Sequence, residues 1–215
     1  MKQLISEFNS EYRNYSAIGY NNYQFTEDDN KGKPDTLQSL TILGIDACVI
    51  PKSIIKDSTS IYAKANSQDI LRKDNDGIFL KEENGKKYIY LCELKSSFLE
   101  GNIIKAKDQI VGAYIKLHSL FSALQSYNPS EWSIRGIIAS YSPSIEKISD
   151  LQRKMENGDI KTRFCFNLQR DKKYIMPEAN CKRSFFPLHV PEITIYHISV
   201  PDKTENYTID FNDII

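Results

Sequence analysis

Asp76-Gly77-Ile78-Phe79-Leu80 and, beyond the turn Glu83-Asn84-Gly85-Lys86, Tyr88-Ile89-Tyr90-Leu91-Cys92-Glu93-Leu94-Lys95 are the stretches on which the fold turns. The second alternates, carries aromatic and branched residues and follows a turn signal, so it predicts a strand; the first reads as its partner in an antiparallel hairpin. Side chains alternate along a strand, so Glu93 and Lys95 project from one face and Leu94 from the other. Antiparallel pairing through the Gly85 turn then carries Asp76, at the outer end of one strand, to Glu93 and Lys95 at the outer end of its partner.

Working outward, Ile103, Ala106, Ile110, Ala113 or Tyr114, Leu117, Leu120 or Phe121, and Leu124 repeat at helical spacing. They predict an amphipathic helix ending before Pro129. Ile134 to Tyr141, after Trp132, is a nearly continuous apolar run of the kind found in strands covered on both faces. Ile145 to Glu156 reads as a helix ending near Gly158, and Arg163 to Leu168 and Ile193 to Val200 as later strands. Upstream, Leu4, Ile5, Phe8, Tyr12 and Tyr15 form the stripe of a first helix. Gln24 to Thr36, with Gly32 and Pro34, reads as a polar loop. Leu37 to Ile50 fits a short helix followed by a strand, which periodicity leaves open, and Ser60 to Ala65 reads as extended. The expected class is α/β, a sheet with helices packed on it.

The chain has 215 residues, enough for one domain with a real core and short for two. Hydrophobic residues make up 40% and charged residues 26%, which excludes disorder as the main state. Lys plus Arg and Asp plus Glu each total 28, so no global field draws the chain to polyanions and such a partner must be held locally. No apolar run approaches the roughly 18 residues of a membrane span. The start, Met1-Lys2-Gln3-Leu4-Ile5-Ser6-Glu7, lacks the apolar core of a secretory signal. The expected location is cytoplasmic, with no membrane partner. Cys48, Cys92, Cys165 and Cys181 lie far apart with no zinc-ligand spacing, and Cys92 falls inside an apolar strand pattern as a buried thiol.

Two carboxylates brought together repel and raise each other's pKa, a cost removed by a divalent cation between them. An oxygen donor set favours a hard ion, magnesium or manganese. A lysine beside it could orient or deprotonate an attacking water, which equips the group for phosphodiester hydrolysis. Glu-x-Lys on a strand is ordinarily an exposed ion pair worth about 0–1 kcal/mol. Here an apolar run leads into the pair, and a buried strand ending in charges is costly unless those charges serve a metal or pocket. Asp74, two residues away on the same face, and Asp46 in Gly44-Ile45-Asp46-Ala47 compete for the role of Asp76, which has the better register.

Asp76, then Glu93-Leu94-Lys95 on the next strand, then a long helix and a buried strand, resembles the PD-(D/E)XK nuclease superfamily over about residues 60–141. Asn75 stands where the signature's proline would be, a proline commonly absent. The resemblance implies a restriction-endonuclease-like core of helix, three antiparallel strands, helix and strand, a central mixed sheet flanked by helices. It sits within a single domain over 1–215, with an N-terminal helix in 1–23 and extra C-terminal strands in an extension over 142–215. It also implies a magnesium-dependent nuclease, with manganese as substitute, acting on DNA in restriction or phage defence. Asp76 and Glu93 match the metal-binding acids and Lys95 the motif lysine.

Many members take a further carboxylate from the first helix, for which Glu11 borders the apolar stripe more closely than Glu7. In one branch the helix after the lysine carries Gln-x-x-x-Tyr; here Gln109 is kept as a site candidate, and Tyr114, one residue too far, is assigned to the core. Between Lys161 and Arg183 seven basic residues face two acids. Lys172, Lys173, Lys182 and Arg183 there, with Lys105 and Lys107 near the start of the long helix, are the candidates for holding nucleic acid. Most of the interleaved aromatics are assigned to the core. Members of this size often cut as a homodimer or within a larger defence complex. Two rivals stay open: an RNA-directed nuclease, and a binding module for nucleic acid or protein that keeps the fold without activity.

Overall fold

A computed structural model of the chain describes residues 1–27, 32–64, 69–181 and 189–215. The first apolar stripe forms α1 (Lys2–Glu11), followed by β1 (Ile18–Tyr20), β2 (Tyr23–Thr26), β3 (Ser39–Leu43) and β4 (Ala47–Ile50). Next come α2 (Ser53–Lys64), β5 (Gly77–Glu83), β6 (Lys86–Lys95), α3 (Glu100–Phe121) and β7 (Trp132–Tyr141). The carboxyl-terminal part adds α4 (Ile145–Glu156), α5 (Ile160–Asp171), β8 (Lys173–Pro177), α6 (Glu178–Cys181), β9 (Glu192–Val200) and β10 (Asn206–Asp210). Among the described residues no helix is long and apolar enough to cross a membrane.

The hairpin forms because Asn84 and Gly85 take φ of 51° and 77°, the pair of left-handed residues that a two-residue turn between twisted strands needs. It sets β5 against β6 in antiparallel register, Gly77 opposite Cys92. β4 pairs antiparallel with β5 on one side, and β7 parallel with β6 on the other. The result is a mixed sheet in the order β1-β4-β5-β6-β7-β9-β8, with β10-β3-β2 as a smaller second sheet. Leu91 and Ile89 of β6, Ile138 of β7 and Ile195 of β9 form one core with Leu4 and Phe8 of α1, Ile110 of α3 and Leu168 of α5. Across the sheet, Tyr90, Cys92, Ile137 and Ile198 form a second core with Phe25, Leu40 and Ile42 of the small sheet. The chain is therefore α/β, with helices on one face of a central mixed sheet and a three-stranded sheet on the other.

Four local expectations are corrected. Ser60 to Ala65 is not extended: through Lys64 it belongs to α2, where the hydroxyls of Ser58, Thr59 and Ser60 bond back to the carbonyls of Ile54, Ile55 and Lys56. That back-bonding lets a hydroxyl-rich run stay helical. Arg163 to Leu168 lies in α5, capped by Asp159, whose carboxylate accepts from the amides of Lys161 and Thr162. Its Phe164, Cys165 and Leu168 share the buried face, a helical spacing that the alternating phenylalanines concealed. Leu37 to Ile50 is two strands, broken at a corner where Gly44 and Asp46 have positive φ. The antiparallel set leading into α3 therefore starts at Ala47 instead of near residue 60. Finally, the loop expected from Gln24 begins only after β2, because Phe25 is a core residue at 1% exposure.

Three contacts fix the segment that leads into β5. Lys116 of α3 is 1% exposed and donates to the carbonyl of Lys73 and the hydroxyl of Thr59, so it fastens α2 and the segment before β5 to α3. Burial lowers its pKa to about 8. The Gln109 amide donates to the carbonyl of Asp74 at 2.9 Å. At Gly77 the ring of Phe25 presses so close that an added Cβ would lie 1.8 Å from its Cδ1. Gly77→Ala is expected to force β2 away from β5 and lower stability by about 1–3 kcal/mol, read by urea denaturation. A loss below about 0.5 kcal/mol would mean that the contact relaxes freely.

Candidate metal centre

The site is built at the β5 and β6 ends that the hairpin brings together. The Asp76 amide donates to the carbonyl of Cys92 at 3.0 Å, extending the ladder by one residue. Its carboxylate then accepts from the amide of Leu94 at 2.8 Å, which clamps the side chain across the top of β6. One residue to each side of Leu94, Glu93 and Lys95 point to the other face. Glu93 is 0% exposed, with Oε1 hydrogen-bonded and ion-paired to Lys95 Nζ. Glu93 Oε2 has no hydrogen-bond partner among the described residues.

A third acid completes the group. Glu27 leaves the end of β2, and oxygens of Glu27, Asp76 and Glu93 lie within 4.8 Å of one another. Burial, and then the charge of Glu27, push the Asp76 carboxyl up to about 7; its bond from Leu94 and the charges of Lys95 and Lys52 only partly offset this. Burial and the charge of Asp76 hold Glu93 well above the usual carboxylate range, against the pull of Lys95. Three converging carboxylates, one with a bare buried oxygen, form an all-oxygen donor set of the type that suits magnesium or manganese. Glu27 and Asp76 open onto a cavity of about 190 Å³, also lined by Asp74, by Lys52, Lys56, Lys95 and Lys105, and by the amides of Asn75 and Gln109.

Asp76, Glu93, Lys95, Gln109 and Lys105 are thus brought together, but other expected site residues are not. Glu11 is exposed at the end of α1, outside the carboxylate group. α1 packs at the far end of α3, where the Tyr12 hydroxyl donates to the carbonyl of Leu120. That is about 22 Å along the helix from Lys105 at 1.5 Å per residue. Glu7 is tied there as well, accepting from the amide and hydroxyl of Ser126 at 2.9 and 2.8 Å. Lys107 lies about 200° round the helix from Lys105; it pairs with Asp108 at 3.3 Å and faces a separate cavity with Lys161 and Tyr174.

Lys172 donates to the hydroxyl of Ser199 at 2.6 Å. Ser199 shares a row with Ser140 and Lys95, so Lys172 borders the same sheet edge about two strand spacings, or 10 Å, away. Lys173 instead sits 5.5 Å over the ring of Tyr196, on the opposite face. Lys182 and Arg183 lie outside the described residues.

Glu27, Lys52 and Lys56 were missed, and Asp74, set aside as a competitor, lines the cavity beside Asp76. The available signal for Glu27 was the alternation of Tyr23, Gln24, Phe25 and Thr26, which ends in an acid at a strand terminus. Asp46 is exposed at the corner between β3 and β4 and takes no part. Compared with family models, curated proteins and solved structures, the chain matches none.

Proposed function

We propose that the chain is a divalent-metal-dependent nuclease hydrolysing phosphodiester bonds in DNA. The observation that carries this reading is Glu93, fully buried, paired through Oε1 with Lys95, its Oε2 without a hydrogen-bond partner among the described residues, and its carboxylate gathered with those of Asp76 and Glu27. Burying an ion costs several kcal/mol even when it is paired, a cost that a divalent cation among the three acids would offset. The order β4, α2, β5, β6, α3, β7, with the three strands before α3 antiparallel and β7 parallel to β6, supports the restriction-endonuclease-like core that the sequence resemblance implies, with α2 inserted between its first two strands.

In this reading Glu27, Asp76 and Glu93 hold magnesium or manganese. When bound, the ion lowers the pKa of water and neutralises charge developing on the phosphoryl and leaving oxygens. Lys95, held by Glu93, would orient the attacking water as a hydrogen-bond donor, with the water's proton passing to solvent. The Leu94 amide keeps Asp76 in place, and Gln109 holds the Asp74 carbonyl and with it the approach to Asp76.

The test incubates purified chain with linear, circular and single-stranded DNA and with RNA, in magnesium, manganese or chelator. DNA cleavage that needs the metal supports the reading; cleavage of RNA alone moves the substrate to RNA. Binding without cleavage in every condition overturns the enzyme in favour of a binding module. Glu27→Gln removes one charged ligand and is expected to raise the magnesium concentration for half-maximal cleavage about tenfold. An unchanged requirement would remove Glu27 from the metal.

A further inference from the structure

Around the carboxylates the cavity carries four lysines from three elements. Lys95 ends β6, Lys105 lies on α3, and Lys52 and Lys56 come from the first turn of α2, where the Lys56 amide bonds the Lys52 carbonyl at 3.1 Å. Residues four apart share a helix face, so Lys52 and Lys56 line the cavity together. Lys52 is half-buried and donates to the carbonyl of Thr26 at 2.8 Å, and Lys56 is exposed.

The charge of the cleft constrains what enters it. Among the described residues, Glu27, Asp74, Asp76 and Glu93 offset the four ammonium groups, so a divalent ion at the carboxylates leaves these residues with two net positive charges. Lys95 is paired with Glu93, and the other three lysines border the cavity from the α2 and α3 side. One phosphodiester carries a single negative charge; two neighbouring ones along a strand match the excess. Among the described residues the lining of this cavity offers acids, amines and amides and no ring on which a base could stack. A cavity of about 190 Å³ is also below the roughly 300 Å³ at which pockets for whole small molecules begin. What fits is backbone, not base.

Resting on the nuclease reading, we propose that Lys52 and Lys56 hold the phosphodiester next to the one at the carboxylates, so that the cleft grips a polynucleotide strand by two consecutive phosphates without base preference. Phosphate contacts of this kind position a strand and carry no sequence information.

The test uses Lys56→Ala, which spares the Thr26 contact, with Lys56→Arg as the charge-retaining variant and Lys86→Ala at the distant hairpin end as control. Binding of fluorescein-labelled oligo-dT and oligo-dA to the full chain is followed by anisotropy across a potassium chloride series in calcium. Lys56→Ala is expected to reduce the slope of log affinity against log salt by about 0.7, the amount for one phosphate contact on a single strand. The affinity loss should be equal on both oligonucleotides. Lys56→Arg and Lys86→Ala should keep the wild-type slope. An unchanged slope for Lys56→Ala, or a loss confined to one base composition, overturns the proposal. Cleavage by the wild-type chain in magnesium is measured alongside. A chain that cuts while Lys56→Ala keeps its slope refutes the second phosphate contact and leaves the nuclease standing. One that shows the slope change and never cuts does the reverse, and one that does not bind refutes the contact.

Discussion

Lys95→Ala is expected to cut DNA about 10³-fold more slowly than the wild-type chain, within the range for losing a positioned hydrogen-bond donor. The ammonium is the only cation hydrogen-bonded to Glu93 among the described residues, so its loss removes both the group that handles the water and the charge that favours ionised Glu93. The variant need not unfold, because a carboxyl deprived of its partner in a buried site takes up a proton. Single-turnover cleavage at saturating magnesium, beside thermal denaturation, separates the outcomes. A rate within tenfold of wild type in a folded variant would exclude Lys95 from the chemistry. Loss of rate only through unfolding would make it a structural residue.

Asp76→Asn is expected to act in opposite directions on activity and stability. The Asp76 carboxyl has a reference pKa of 3.8 and is pushed up to about 7 in the fold, so the native state holds this proton more tightly than the unfolded chain does. Between those two values the native state binds more protons, and the metal-free fold loses stability as pH rises, with no further loss from this group above about 7. Asparagine does not titrate. In chelator at pH 8 the variant should therefore exceed the wild type by about 2–4 kcal/mol, while below pH 4 the advantage disappears. Magnesium should restore stability to the wild-type chain at pH 8 and do less for the variant, which should not cut. Denaturation across pH with and without magnesium checks this; parallel stability curves for the two proteins would show that Asp76 is not held against ionisation.

How much of this site could be read from sequence depends on how each residue reaches it. Asp76, Glu93 and Lys95 lie on two strands joined by a turn, and alternation plus register place them with no knowledge of the rest of the chain. Gln109 follows from the same logic, on the helix directly after the hairpin. Glu27 does not: its position comes from β2 pairing with β3 and from Phe25 lying on Gly77, contacts spanning many residues that no local pattern announces. Lys52 and Lys56 lie at the start of α2, where no local pattern marks a helix, and only its later part, Ser60 to Ala65, carries an expectation, of extended chain. Glu11 failed for the opposite reason. Its helix was found correctly, but amphipathic periodicity says which face packs and not which end of α3 receives it.

The small sheet gives the molecule a schedule. β2, which delivers Glu27, is held by β3, and β3 takes its other neighbour from β10, in parallel register from Asn206 opposite Ser39 to Asp210 opposite Leu43. A chain still being translated already contains the hairpin with Asp76, Glu93 and Lys95 long before residues 206–210 leave the ribosome. Until they arrive, β3, which pairs with the strand leading to the third carboxylate, lacks its β10 neighbour. The support of the third carboxylate is thereby completed later than the hairpin that carries the other two.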